Sequence, residues 1–152
     1  MSKIAILVGS TSDLAVLESA KAYLEFFEIE HDIRVLSAHR QHDELVDYIK
    51  AAEKEGVEII IACAGMAAHL PGVISAITPL PVIGVPLDAS SLNGVDALLS
   101  IVQMPKGIPV GTMAVGKAGV INAVVYAARI LALKNPELRD RLAEFHKKGS
   151  KL

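Results

Sequence analysis

Short unbroken apolar runs alternate along this chain with stretches whose apolar residues recur at helical spacing. Lys3–Val8 is the first run, and such runs fit strands buried on both faces of a parallel sheet. Gly9-Ser10-Thr11-Ser12-Asp13 then turns the chain. Leu14, Leu17, Ala20, Leu24 and Phe27 follow near helical spacing and predict a helix over 12–27, capped by Ser12 or Ser10. The unit recurs. A strand is predicted at 32–36, a loop at 37–40, and a helix that begins around Leu45 and ends at Gly56. A strand at 57–63 leads through a loop at 65–70 into a short helix opened by Pro71 and running to Ile77. Then come a strand at 81–85, a polar stretch at 87–93, a helix over about 94–103 and a turn at 104–107. The run 110–115 is the fifth predicted strand. Residues 118–133 form a long helix, apolar on nearly every face and therefore expected to be buried. Asn135-Pro136 breaks it, and a charged amphipathic helix occupies about 136–147 with Leu138, Leu142 and Phe145 on one side.

Strand–helix alternation without a linker predicts one domain over 1–152 of class α/β: a doubly wound parallel sheet, flavodoxin-like, in three αβα layers. In such folds ligands bind beyond the carboxyl ends of the strands, near the switch in strand order. Those ends are 9–13, 37–42, 63–71, 86–93 and 116–119, so the chemistry is to be sought there.

Composition removes several function classes. The chain has 152 residues, 52% of them hydrophobic and 21% charged, which gives it a core to bury and excludes disorder. A formal charge of −2 and 4% aromatics, with no Trp, argue against a nucleic-acid partner. No stretch reaches the ~18 uninterrupted apolar residues of a membrane span, and the first apolar run is strand-length rather than a signal core. A single cysteine, Cys63, forms no internal disulfide and fits a reducing, cytoplasmic setting. It ends an apolar strand, where a buried, inert thiol is expected rather than a nucleophile. The mean hydropathy of +0.44 is high for a small chain and predicts that other subunits cover part of its surface.

Three strand-end loops carry candidate chemistry. In the first, backbone N–H groups at a helix start, with the hydroxyls of Ser10 and Ser12, suit a phosphate. Asp13 would repel a phosphate held close and suits sugar hydroxyls instead. Helix capping explains the same residues equally well. The segment is neither a P-loop nor a dinucleotide fingerprint. In the second loop, Ser37-Ala38-His39-Arg40 places a proton carrier beside a fixed cation. An exposed polar loop is the plainer alternative. In the third, Ala64, Gly65, Met66, Ala67 and Ala68 are small or unbranched, so a ligand can approach the backbone, and His69 precedes a helix. A tight turn with a locally satisfied His69 is the competing explanation. His31 and His146 read as surface residues, and His42 near the second loop has no assigned role. No Cys pair, His-Glu-x-x-His motif or dense carboxylate cluster points to a metal.

These loops, in order, together with Ala67-Ala68-His69-Leu70-Pro71-Gly72 and the run from Leu92 to Thr112, resemble the class I N5-carboxyaminoimidazole ribonucleotide mutases of purine biosynthesis. That family is also called the catalytic subunit of phosphoribosylaminoimidazole carboxylase. The resemblance spans about Ile4 to Leu133. It implies a flavodoxin-like subunit of a homo-octamer that interconverts N5-carboxyaminoimidazole ribonucleotide and 4-carboxyaminoimidazole ribonucleotide without metal, ATP or organic cofactor. It further implies that Ser10 and Arg40 bind phosphate, that Asp13 binds ribose, and that His39 is the acid–base residue. Ala64, Gly65, Ala68, His69 and Leu70 would wall the aminoimidazole and the carboxylate or CO2, with Ser12 and Ser37 lining the substrate loops.

The chain departs from the family pattern in three places. Glycine is expected where Cys63 and Met66 stand, and Met66 adds bulk and restricts positive φ. Gln41-His42 replaces an expected Thr-Pro, which takes a proline's rigidity out of that loop. The charged tail is short. Two other activities fit the same scaffold. One is direct carboxylation of aminoimidazole ribonucleotide by CO2, which the Met66 change keeps open. Arg40 and His69 favour the mutase over it, because class II relatives tend to carry Lys after the loop His and lack the Ala-Ala-His-Leu-Pro-Gly run. The other is a non-catalytic nucleotide-binding module, which the fold alone would permit.

Overall fold

A computed structural model of the chain describes residues 3–152. Five parallel strands form the sheet, in the order β2-β1-β3-β4-β5: β1 Lys3–Val8, β2 Glu30–Val35, β3 Val57–Gly65, β4 Val82–Leu87 and β5 Gly111–Thr112. This is the doubly wound, flavodoxin-like order expected from the alternation. The helices are α1 Leu14–Leu17, α2 Lys21–Phe27, α3 His42–Lys54, α4 Leu70–Ile77, α5 Val95–Val102, α6 Lys117–Leu131 and α7 Pro136–Lys147.

Alternating side chains of the central strands feed two cores. Ile4, Ile6, Val8, Ile59, Ile61 and Cys63 pack under α2, α6 and α7 on one face. Ala5, Leu7, Ile60 and Ala62 pack under α3, α4 and α5 on the other. A central strand thus has no polar face, which is why β1 and β3 read as unbroken apolar runs. Each fully buried Ile or Leu contributes about 1.5–3 kcal/mol. Gly84 in β4 has no room for a side chain: a Cβ there would lie 2.5 Å from Ile101 Cγ2 and 2.8 Å from Val110 Cγ1.

The register decides where the site lies. Val8 pairs with Val35 on one side and Cys63 on the other, and Gly65 pairs with Leu87. β1 and β2 therefore end level, β3 and β4 run two residues further, and the four loops gather around the switch between β1 and β3.

Several sequence expectations need correction. The helix expected at 12–27 is interrupted: 3-10 turns occupy Thr11–Asp13 and Glu18–Ala20. The Ser19 hydroxyl donates to the Val16 carbonyl at 2.6 Å, competing with the helical ladder at the break. The second strand starts two residues before its expected position. It is the sheet edge, and its charged residues face solvent. The fifth strand, expected over 110–115, has only Gly111 and Thr112 in register with β4. Beyond them the chain keeps only scattered bonds to β4, from Met113 N–H to Gly84 O and from Gly116 N–H to Pro86 O. It then swings into α6, whose Gly119 packs so tightly on the Ala114 carbonyl that no Cβ would fit. The helix expected to be buried all round, α6, buries one face, with Val120, Ala123, Val124, Ala127 and Leu131; Tyr126 and, just past its end, Leu133 are exposed. The helix expected at 136–147 is α7, where the Asn135 side chain accepts from the Leu138 N–H.

Candidate functional site

Beyond the strand ends lies a cavity of about 450 Å³. Gly9, Ser10, Ser12 and Asp13 line it from the loop after β1, and Ser37, Ala38, His39 and Arg40 from the loop after β2. Ala64, Gly65, Met66, Ala67, His69 and Leu70 close it from β3 and the start of α4, and Ala89 from beyond β4.

The first loop is held by its own polar groups. Ser10 caps the 3-10 turn, its hydroxyl accepting from the Ser12 N–H at 3.4 Å and lying 3.0 Å from the Ser12 hydroxyl. The Asp13 N–H donates to the Ser10 carbonyl at 3.0 Å. Burial raises the Asp13 carboxyl pKa above the ordinary 3.8, an effect partly offset by the Ser10 backbone. Of the two roles weighed for these residues, capping is observed at Ser10, and both serines also line the cavity.

The second loop is a turn tied at both ends. The Ser37 hydroxyl accepts from the Arg40 N–H at 3.2 Å, and the Gln41 N–H donates to the Ser37 carbonyl at 2.9 Å. The Gln41 side chain accepts from the Ser37 N–H at 3.2 Å and donates to Glu44 at 2.9 Å. Gln41 thus ties by hydrogen bonds a loop that the expected Thr-Pro would have stiffened with a proline ring at position 42. The guanidinium of Arg40 is exposed, and among the described residues it joins no salt bridge. It is free to grip an anion bidentately.

The two candidate histidines, thirty positions apart in sequence, meet. His39 Nε2 lies 2.7 Å from His69 Nδ1, with the rings edge to face and their centroids 4.9 Å apart. One nitrogen of that contact carries the proton and the other accepts it. A proton can therefore be held at His39 and steadied by His69 without any carboxylate. Among the described residues, no three His, Cys, Asp or Glu gather into a group able to hold a metal ion.

The third loop departs from expectation at one place. Ala68 is 1% exposed and packs into the core below the loop, so it shapes the wall without lining it. Met66 and Ala67 line it instead. Met66 has φ +55°, a left-handed backbone that costs a residue with a Cβ roughly 1–2 kcal/mol. Gly65 is required by proximity: a Cβ there would sit 2.8 Å from the Ala89 Cβ. Cys63, just beneath, is fully buried, and burial pushes its thiol up to about 12, which leaves it inert.

Every candidate residue but Ala68 lies on this one cavity. Sequence reasoning gave Gly9 no role of its own and did not single out Ala89. Ala89 belongs to a strand-end segment that had been marked, but no chemical group distinguishes it. His31, His42 and His146 are exposed and lie away from the cavity lining.

Comparison with known proteins places this geometry in a family. The family model described as AIR carboxylase matches residues 3–151. The N5-carboxyaminoimidazole ribonucleotide mutase of Pyrococcus abyssi is 51% identical over 95% of this chain and 82% of its own length. The mutase of the same name from Escherichia coli K12 is 50% identical over 95% of this chain and 86% of its own, and that from Brucella melitensis 53% over 95% and 89%. The crystal structure of Treponema denticola PurE superposes with a TM-score of 0.90 at 28% identity, over 99% of this chain and 92% of that one. Matched along its length by that model, and by half its residues to these mutases, the chain belongs to the AIR carboxylase family.

Proposed function

We propose that the protein interconverts N5-carboxyaminoimidazole ribonucleotide and 4-carboxyaminoimidazole ribonucleotide in purine biosynthesis, as its half-identical relatives do by name. The observation that carries the reading is the His39–His69 contact at 2.7 Å, on a cavity that Ser10, Arg40, Ala64 and Gly65 also line. Ser10, Ser12, Ser37 and Arg40 hold the phosphate, and Asp13 accepts from the ribose hydroxyls. The aminoimidazole lies along Ala64, Gly65 and Leu70, with Ala68 supporting that wall from below. His39 gives a proton to the carbamate nitrogen, the bond from that nitrogen to the carboxyl carbon breaks, and CO2 leaves. The ring carbon attacks CO2, and the proton that carbon loses returns to His39. Protons balance over the cycle, so one imidazole, oriented by His69, serves both steps. Holding CO2 beside the ring raises its effective concentration.

The reaction needs no metal or organic cofactor, and one domain spanning the chain carries it. Among the described residues no helix is long and apolar enough to cross a membrane, and a cytoplasmic setting suits this metabolic step. The assembly is a homo-oligomer, an octamer, which supplies cover for the exposed Leu92, Val95, Leu99 and Val102 around α5 and Tyr126 on α6. Sedimentation as a monomer at micromolar concentration would overturn that assembly.

The description of the matching family favours a second reading, direct carboxylation of aminoimidazole ribonucleotide by CO2. Two matched reactions separate them. Rapid formation of 4-carboxyaminoimidazole ribonucleotide from the N5-carboxy compound, without added bicarbonate, is expected. Turnover only of aminoimidazole ribonucleotide with CO2 would replace the mutase by a carboxylase. Saturable binding without turnover of either would leave a nucleotide-binding module.

A further inference from the structure

Proton transfer through His39 asks one thing of the loop after β2: the imidazole must be held where its Nε2 meets His69 Nδ1 at 2.7 Å. Packing does little to hold it. Of residues 37–41 only Ala38 is buried, and His39 and Arg40 are exposed. Hydrogen bonds therefore keep the turn, and they converge on Gln41. Its N–H donates to the Ser37 carbonyl, and its side-chain carbonyl accepts from the part-buried Ser37 N–H at 3.2 Å. The other end of the amide points out of the turn. Nε2 donates to Glu44 Oε2 at 2.9 Å, in the first turn of α3. The Gln41 backbone carbonyl accepts from the N–H of Leu45, which is fully buried in the core beneath α3. One residue thus fastens an exposed turn to a helix that is itself anchored.

The expected Thr-Pro would hold the same loop by another device. A proline at 42 drives the residue before it to ψ of roughly +120 to +160°, whereas Gln41 has φ −134° and ψ 44°. Strap and proline are therefore alternatives, and a proline added alone would turn Gln41 out of its bonds. The reaction does not need a glutamine at 41. It needs a fixed His39, and this chain meets that need with an amide instead of a ring.

We propose that Gln41 is a positioning residue: its amide, strapped between the Ser37 N–H and the Glu44 carboxylate, holds the His39–Arg40 turn against α3 and so sets His39 against His69. Neither Gln41 nor Glu44 lines the cavity, so both act through the turn and touch no reacting atom. The inference rests on the acid–base role given to His39 above. Arg40 rides on the same turn, but its longer side chain recovers an anion after a small shift, while the short imidazole does not recover its contact. The strap therefore acts on kcat more than on KM.

The test is steady-state kinetics and melting of four variants, run on N5-carboxyaminoimidazole ribonucleotide and on aminoimidazole ribonucleotide with CO2. Gln41→Ala removes both side-chain bonds. Its kcat is expected to fall about 10- to 100-fold, as a misplacement approaching 1 Å would cause, with KM within a few-fold of wild type and only a small fall in Tm. Gln41→Thr/His42→Pro replaces the strap by the proline and should recover most of that kcat. Glu44→Ala, which frees one end of the strap, should lose part of it, and Glu44→Gln, which still accepts from the Gln41 amide, should not. A Gln41→Ala enzyme with kcat near wild type overturns the proposal, as does one whose loss lies in KM alone. So does a Thr-Pro double variant as slow as Gln41→Ala, because stiffness of the turn is then not what was lost. A wild type that turns over only aminoimidazole ribonucleotide with CO2 overturns the mutase reading, and the same pattern of losses on that substrate still upholds the strap. A wild type that turns over neither overturns both.

Discussion

Gly65→Ala tests whether the cavity wall is set to the accuracy that catalysis needs. The new Cβ would lie 2.8 Å from the Ala89 Cβ. Apolar carbons settle at about 3.5–4.0 Å, so one side must retreat by about 1 Å. Gly65 is held in the sheet by its pairing with Leu87, whereas Ala89 is exposed two residues past the end of β4. The Ala89 segment therefore yields, and the part of the cavity wall it forms is displaced. A misplacement of about 1 Å costs about 10²-fold in rate, or ~2.7 kcal/mol of transition-state stabilisation. Overpacking costs about 1–3 kcal/mol in stability, and the exposure of Ala89 places this case at the low end. The expected result is a kcat/KM for the N5-carboxy substrate about 100-fold down with only a small fall in Tm. The double variant Gly65→Ala/Ala89→Gly removes the opposing methyl group and should recover most of the loss. A single variant within a few-fold of wild type, or a double variant no better than the single, would refute the reasoning.

Three further outcomes are expected. His39→Asn should lose about 10²–10⁴-fold in turnover, and its Tm should not move because the side chain is exposed; near-normal turnover would remove His39 from the mechanism. Burial raises the Asp13 carboxyl pKa, so the folded chain holds that proton more tightly than the unfolded chain. The resulting stability is complete below the ordinary value of 3.8 and lost as pH rises through it to the raised value. Asp13→Asn should therefore raise Tm at neutral pH and not in acid, while KM for the nucleotide rises; melting profiles against pH and steady-state kinetics check both. Cys63 should resist iodoacetamide in the native protein at about pH 8 and react once unfolded, because burial pushes its thiol up to about 12; rapid native labelling would contradict the packing.

The fold was most legible where burial is most uniform. β1, β3 and β4 carry side chains into two cores, so their sequences show apolar runs with turn residues at the ends. Legibility fell at the sheet edges. β2 carries charge because its faces meet solvent, and β5 shrinks to two residues because α6 docks on the segment that precedes it. The break in the first helix coincides with a Ser19 side-chain hydrogen bond that hydrophobic spacing does not record. In the site, residues with chemical groups could be nominated from sequence, whereas Ala89 could not, because its role is its position. Gln41-His42 in place of Thr-Pro predicts a looser loop, yet the Gln41 amide ties the turn that a proline at position 42 would have stiffened.

The sequence alone determined the α/β class, the strand-end loops and the residue types able to move a proton or hold a phosphate. These are local properties: periodicity, turn chemistry and side-chain functional groups lie within a few residues of one another. Tertiary structure alone decided that His39 and His69 share a contact of 2.7 Å, that Ala68 goes below the wall rather than onto it, and that Met66 stands in a left-handed backbone at the rim. Each depends on how separate strands align in register, and that alignment is fixed by packing the two faces of the sheet at once. No single segment of the chain contains it.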